Sequence, residues 1–247
     1  MSLFDTDAIV LRHYELGEAD KIIVLFSRNK GKIRVVAKGV RKTKSSLAAG
    51  LEPFTYNHIL VYQGKSDLGN LSQCDIKDSF SSLKDDILKM TAASYLAELV
   101  NELTVDHQPH QDIFDLLLLT LKLLDQLDEI DLLLRTFELK LLNLLGYQPY
   151  ITACIKCGRE VDQSVKFNLI AGGLTCDKCA SNQDLRVSLG TVKFIEQLIK
   201  LDYRRLLRLK LPEYANKQLT NIIPAYIETI TEKELKTISF LDSLKDI

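Results

Sequence analysis

The hydrophobic period of the chain changes near residue 78. Before that point apolar and polar residues alternate in short runs, at 8–12, 22–26, 33–37, 54–62 and 68–74. In the fourth run Phe54, Tyr56, His58, Leu60 and Tyr62 alternate with Thr55, Asn57, Ile59 and Val61. Turn segments around Gly17, Gly31 and QGKSD separate the runs. A period of two with turn signals between predicts strands. Five short antiparallel strands in the opening segment predict a small closed barrel of the five-stranded OB type.

From residue 79 the apolar positions fall three or four apart. Phe80, Leu83, Ile87, Met90, Ala93, Leu96, Leu99 and Leu103 predict one helix over 79–104. Two more helices follow at 113–127 and 130–145, the second apolar nearly all round and so expected at the centre of a bundle. Gly146 and Pro149 end it. Further helices are expected at 187–201, with Ser188 as cap, at 214–230 and at 235–244, with a kink or break at Pro224. Between the two helical parts lies a short cysteine-bearing segment. The expected fold is α+β and multidomain. A barrel occupies 1–78, a first helical part 79–150, an inserted four-cysteine zinc module 151–182, and closing helices 183–247.

Composition adds little to this, but charge changes it. The chain has 247 residues, 46% hydrophobic and 26% charged, with a net charge of −1, which suits a folded protein. Its first residues, MSLFDTD, lack the apolar run of a signal peptide. The most apolar tract, 130–145, is interrupted by Asp131, Arg135, Glu138 and Lys140, so no membrane span is expected. A cytoplasmic protein is the expectation. In that compartment five cysteines do not form a disulfide framework.

The near-neutral total hides a strong asymmetry. Residues 21–46 contain Lys21, Arg28, Lys30, Lys32, Arg34, Lys38, Arg41, Lys42 and Lys44, with no Asp or Glu. Lys32, Arg34 and Lys38 share one strand phase, and Ile33 and Val35 take the other. A basic sheet face would therefore run into a basic loop, GVRKTKSS. A solvated hairpin is the bland alternative. The lack of interleaved acids favours a polyanion-binding surface. Tyr14, Phe54, Tyr56 and Tyr62 could stack on bases, although each on its own is better read as barrel filling. The compensating acids lie in the helical part, among them Asp85, Asp86, Asp106 and Asp115, and Asp85 and Asp86 are read as lying on a solvated helix face.

Cys154-Ile-Lys-Cys157 and Cys176-Asp-Lys-Cys179 are two C-x-x-C knuckles. Four thiolates at this spacing predict a tetrahedral structural Zn2+ site. With every position filled by sulfur it would not be catalytic. The run at 165–169 and the Gly172-Gly173 turn predict a hairpin between the knuckles. Cys74, the fifth cysteine, reads as a small core residue. His107 and His110 read as a polar turn. No P-loop, Ser/His/Asp set or open metal site is found, so no catalytic residues are assigned and no enzyme is expected. In the tail, Lys193, Lys200, Arg204 and Arg208 would form one stripe if a helix ran through Asp202. A solvated face is favoured there over a second cationic surface for DNA or an acidic peptide.

The opening AIVLRHYELGEADKIIVLFSRNKGKIRVVAKGVRKTKSS, with LEPF at 51–54, resembles bacterial RecO, a family of recombination mediators of DNA repair. The order of barrel, helices, four-cysteine module and closing helices is also similar. The resemblance implies a non-enzymatic protein that binds single- and double-stranded DNA and anneals complementary strands. It implies cooperation with RecR and with the acidic C-terminal tail of single-strand-binding protein, to load RecA. It places a DNA-binding surface on Lys32, Arg34, Lys38, Arg41, Lys42 and Lys44, and association with the nucleoid when active. A nuclease-like enzyme and a protein-only scaffold are the alternatives.

Overall fold

The computed structural model describes residues 2–161 and 165–245, without the side chains at positions 204, 207 and 245. Five strands open it: β1 (Ser2–Leu16), β2 (Asp20–Ser27), β3 (Gly31–Ala37), β4 (Tyr56–Gln63) and β5 (Leu68–Asp78). They close into a barrel in the order β1-β2-β3-β5-β4. β4 returns antiparallel to β1, and β3 pairs parallel with β5 around Arg34↔Leu68. The strand alternation is the cause. Val10, Ile23, Leu25, Ile33, Val35, Ile59 and Val61 all point inward and are buried. Each such aliphatic side chain contributes about 1.5–3 kcal/mol by leaving water.

Two irregularities shape the barrel. β1 carries a bulge between Val10 and Arg12, which puts Leu11 out of register with β2. A 3-10 turn at Ala49–Leu51 inserts Leu51 into the interior. Asn57 holds that turn by donating from Nδ2 to the Gly50 carbonyl at 2.7 Å. A Cβ at Gly50 would lie 2.7 Å from Cys74 Sγ, so only glycine fits there. Cys74 itself packs against the barrel core. Burial, with help from Asp75, pushes its thiol up to about 11.

The single helix expected over 79–104 is two: α1 (Ser81–Lys84) and α2 (Ile87–Leu103). The break is made by Asp86, expected on a solvated helix face. Its carboxylate instead caps α2, accepting from the N–H groups of Leu88 and Lys89 at 2.8 and 3.1 Å. α3 (Gln111–Gln126) follows. The barrel, α1–α3 and the chain end from Phe240 form one compact unit, and Asp128–Ser239 form a second.

The second unit begins with α4 (Ile130–Leu144). Next come the short strands β6 (Val165–Asn168), β7 (Gly173–Cys176) and β8 (Leu185–Val187), paired in the order β7-β6-β8. α5 (Leu189–Lys200), a 3-10 segment (Tyr203–Arg208) and α6 (Glu213–Thr231) complete it, and α7 (Lys236–Lys245) ends the chain. Ser188 caps α5 as expected, accepting from Thr191 N–H at 3.1 Å. α6 runs on through Pro224 without a break. α4 packs against α5 and α6. Its centre is not purely apolar, for Arg135 and Glu138 are buried there as a pair at 3.0 Å. Among the described residues no helix is long and apolar enough to cross a membrane.

Candidate nucleic-acid interface and metal centre

Two tight turns build the cysteine site. Gly158 N–H donates to the Cys154 carbonyl at 2.8 Å, with Gly158 at φ +72°. Cys179 and Ala180 N–H both donate to the Cys176 carbonyl at 2.9 Å. The turns bring the Sγ atoms of Cys154, Cys157, Cys176 and Cys179 within 4.8 Å of one another, so that they could hold a metal ion. Tetrahedral zinc–sulfur bonds of about 2.3 Å set sulfurs about 3.8 Å apart, and Cys157 and Cys176 lie at 3.8 Å. Burial pushes the Cys154 thiol up, but hydrogen bonds from the backbone of Cys176, Cys157 and Lys156 outweigh it and bring the pKa down to about 6.

Asp184, which carries no motif in the sequence, is the pivot beneath this site. It accepts from Thr175 Oγ1 and Asn168 Nδ2 at 2.7 Å, from Ser181 Oγ at 2.5 Å and from Ser181 N–H at 3.2 Å. Burial alone would raise its pKa, and these donors hold it at about 2. The carboxylate thereby ties the second knuckle to β6 and β7.

On the barrel, the outer face of β3 carries Lys32 and Arg34 as the alternation requires, but the two are not alike. Lys32 is buried beneath the end of α2. Its ammonium donates to the carbonyls of Asn101 and Thr104 at 2.5 and 2.8 Å and pairs with Asp106 at 3.2 Å. It serves the unsatisfied carbonyls of the helix C-terminus. The sequence expectation of Lys32 on an open cationic face is therefore corrected: its charge is spent inside the unit. Arg34 is exposed, with Asp106 at 3.0 Å. Arg28, outside the expected site, pairs with Asp115 at 2.8 Å.

The loop after β3 differs. Gly39 N–H donates to Asp20 Oδ1 at 2.7 Å, and Arg41 N–H to the Ala19 carbonyl at 2.9 Å, pinning its start to the β1–β2 turn. The Arg41 guanidinium reaches the Gly17 carbonyl at 3.0 Å and Glu15 at 3.2 Å. Lys38, Lys42 and Lys44 are exposed, and among the described residues their side chains make no ion pair. Beside the loop runs a cross-strand row on the outer face, Tyr14–Ile22–Val36–Asn70–Tyr62. Tyr14 and Tyr62 are partly exposed. A neighbouring row is Arg12–Val24–Arg34–Leu68. The other two candidate aromatics are structural. Phe54 is buried, and Tyr56 packs edge-on against Phe114 and donates to Asp7.

Comparison with known proteins agrees with this layout. The family model described as Recombination protein O N terminal matches residues 1–80, and that for Recombination protein O C terminal matches residues 84–238. The chain belongs to the RecO family. It is 37% identical to the DNA repair protein RecO of Symbiobacterium thermophilum, over 99% of each chain. It is 34% identical to that of Desulforamulus reducens, over 99% of this chain and 96% of the relative. It is 32% identical to that of Acetivibrio thermocellus, over 100% and 99%. The N-terminal RecO match coincides with the barrel, and the C-terminal one covers α2 to α6 and the cysteine site.

The tail stripe is not continuous in this RecO-family chain. α5 ends at Lys200, where Leu201 turns extended with ψ 133°, and the cations beyond Asp202 lie on a 3-10 segment. The condition for a single row of Lys193, Lys200, Arg204 and Arg208, a helix running through Asp202, is not met. Lys193, Lys200 and Arg208 are exposed, with Glu196 4.0 Å from Lys200. The Arg204 side chain lies outside the described residues.

Proposed function

We propose that this protein is a recombination mediator that binds single- and double-stranded DNA and anneals complementary strands. The observation that carries this reading is the loop after β3. It presents Lys38, Lys42 and Lys44 without counter-charges, next to an outer barrel face bearing Tyr14 and Tyr62. Phosphates would lie along Lys38, Arg41, Lys42 and Lys44, with Arg34 at the edge of the same face. Bases would rest on the aromatic row, giving largely sequence-tolerant binding. Cations that screen two strands at once lower their repulsion, and base pairing supplies the driving free energy. The work is done by binding, without a covalent step. The four thiolates would hold Zn2+, which contributes folding stability and no reactive position. RecR, the acidic tail of single-strand-binding protein and, indirectly, RecA are the partners proposed, with the exposed cations Lys193, Lys200 and Arg208 as a candidate seat for the tail.

The test is affinity for a fluorescent single strand across a salt series. About five phosphate contacts give a slope of log K against log salt near roughly −3.5. Lys38→Ala/Lys42→Ala/Lys44→Ala is expected to make the slope shallower by about 2. An unchanged slope would move the DNA site off this loop. No binding at low salt would favour a protein-only scaffold.

A further inference from the structure

The barrel unit contains a cleft of about 360 Å³ that the reading above does not use. One wall is the β1 bulge, Leu11–His13, continued by Pro53 and Phe54. The other is the face of α2 that carries Ala97, Glu98 and Glu102. The cleft is built around two irregularities. The bulge re-aims Leu11 and its neighbours. Phe54 is held at φ +69°, a left-handed conformation costly for a side chain of its size. Hydrogen bonds on both sides keep it there, from Phe54 N–H to the Val10 carbonyl at 2.8 Å and from Val10 N–H to the Thr55 carbonyl at 3.1 Å. Strain maintained by surrounding contacts is characteristic of ligand clamps.

The lining is selective in its chemistry. Glu98 and Glu102 stand one helical turn apart on α2 as acceptors, and Glu102 Oε1 already takes the Asn101 side-chain amide at 2.5 Å, so a ligand would meet their remaining lone pairs. Arg12 lines the opposite wall with its guanidinium 5.1 Å over the Tyr14 ring, where its N–H groups remain donors. His13 Nδ1 is shielded from solvent and has no hydrogen-bond partner among the described residues. Burial and the charge of Lys21 hold the imidazole pKa below its usual value, so the ring is neutral at neutral pH and one of its nitrogens accepts. A phosphate or an acidic peptide would meet two carboxylates. A simple cation would meet Arg12. A flat neutral molecule with donors on one edge and acceptors on the other satisfies both walls, and Leu11, Pro53, Phe54 and Ala97 offer it apolar flanks.

We infer that this cleft is a pocket for one nucleobase bearing an exocyclic amine, turned out of a single strand lying on the barrel. The inference rests on the DNA-binding reading for the source of the base. Arg12 supplies the continuity, since it lies in the same cross-strand row as Arg34. The amine of cytosine donates to a glutamate carboxylate, a pairing known from base readout, and its carbonyl edge accepts from Arg12. Thymine presents one ring N–H between two carbonyl oxygens, which the carboxylates repel.

The test uses the intact protein and has two arms. In the first, the ring NMR signals of His13, assigned with His13→Gln, are followed on adding deoxycytidine or thymidine, which carry no phosphate. A saturable shift with deoxycytidine alone is expected. No shift with deoxycytidine, or equal shifts with both, overturns the pocket whatever the DNA affinity. In the second arm, oligo(dC) and oligo(dT) of equal length are compared by fluorescence anisotropy. A preference for oligo(dC) of about fivefold is expected, the lower end of what one good base contact gives. It should vanish in Glu98→Ala/Glu102→Ala, or in Glu98→Gln should the double variant unfold, while oligo(dT) affinity holds. Equal, tight binding of both oligonucleotides by the wild type overturns the pocket and leaves DNA binding standing. Failure to bind either oligonucleotide overturns the DNA-binding reading, and the nucleoside arm then decides the pocket alone.

Discussion

The two small β modules of this molecule are held by opposite means. The barrel has an interior. Twelve buried apolar residues fill it, and five strands close around them. The cysteine module has three strands of three or four residues each, too short to enclose a core of their own. Its apolar side chains Val165, Phe167, Leu174 and Val187 are buried, Phe167 against Tyr226 of α6, and beside them it has four convergent sulfurs and a buried carboxylate, Asp184, that accepts from three neighbouring residues. Small modules depend on metals or cross-links because burial cannot offset their chain entropy. The barrel should therefore tolerate loss of any one polar contact, whereas the cysteine module should not survive loss of its centre.

Three changes would break or sharpen that contrast. The largest effect is expected from a chelator or from Cys176→Ser. Structural zinc sites hold on the order of 10 kcal/mol of folding free energy. Amides of β6, β7 and β8 should lose hydrogen-exchange protection while β1–β5 keep theirs. Uniform protection with and without chelator would show that the thiols bind no metal.

Next is Lys32→Met. It strands two helix-end carbonyls in a buried setting, while Asp106 keeps Arg34, and should cost about 2–4 kcal/mol in urea unfolding. Lys42→Ala, on the exposed loop, should stay within about 0.5 kcal/mol. Equal costs for the two lysines would contradict their different burial.

The smallest effect concerns acid. Burial would raise the Asp7 pKa, but hydrogen bonds from Lys77, His58 and Tyr56 bring it down to about 2, below its ordinary 3.8. A depressed folded pKa means stability that is fully present above about pH 4 and is lost as pH falls toward 2. After solvent screening this is on the order of 1 kcal/mol. Asp7→Asn should flatten the thermal-melting profile of the barrel over that range. An unaltered profile would mean that Asp7 titrates normally.

What could be read in the sequence was what is local. The barrel strands follow from alternation, and the four cysteines from a spacing of two residues within each knuckle. β8 has only Leu185–Val187, too few residues for a period to show. The break before α2 was hidden because Leu83 and Ile87 continue the apolar stripe across it, and only the capping geometry of Asp86 reveals it. Lys32 stands in a run without acids, yet Asp106, far along the chain, lies 3.2 Å from it. Arg28 and Arg41 meet Asp115 and Glu15 in the same way. An acid-free stretch of sequence is thus not an uncompensated surface. Among the described residues the loop lysines Lys38, Lys42 and Lys44, and Lys30 in the β2–β3 turn, are exposed without an ion pair. The tail stripe failed for a backbone reason, since α5 stops at Lys200 and the later cations change phase.

Closure of the barrel also decides what kind of association is open to it. A ring of paired strands leaves shorter rows of free N–H and C=O groups than an open sheet, and they lie mainly on β5 beyond Asn70, where β3 no longer pairs with it. The three-stranded sheet keeps two open margins, β7 and β8. Tyr150 already occupies part of the first, exchanging backbone hydrogen bonds at 2.9 Å with Gly172 and Leu174. The second is only three residues long. Strand exchange between copies of this chain through the three-stranded sheet is thereby discouraged.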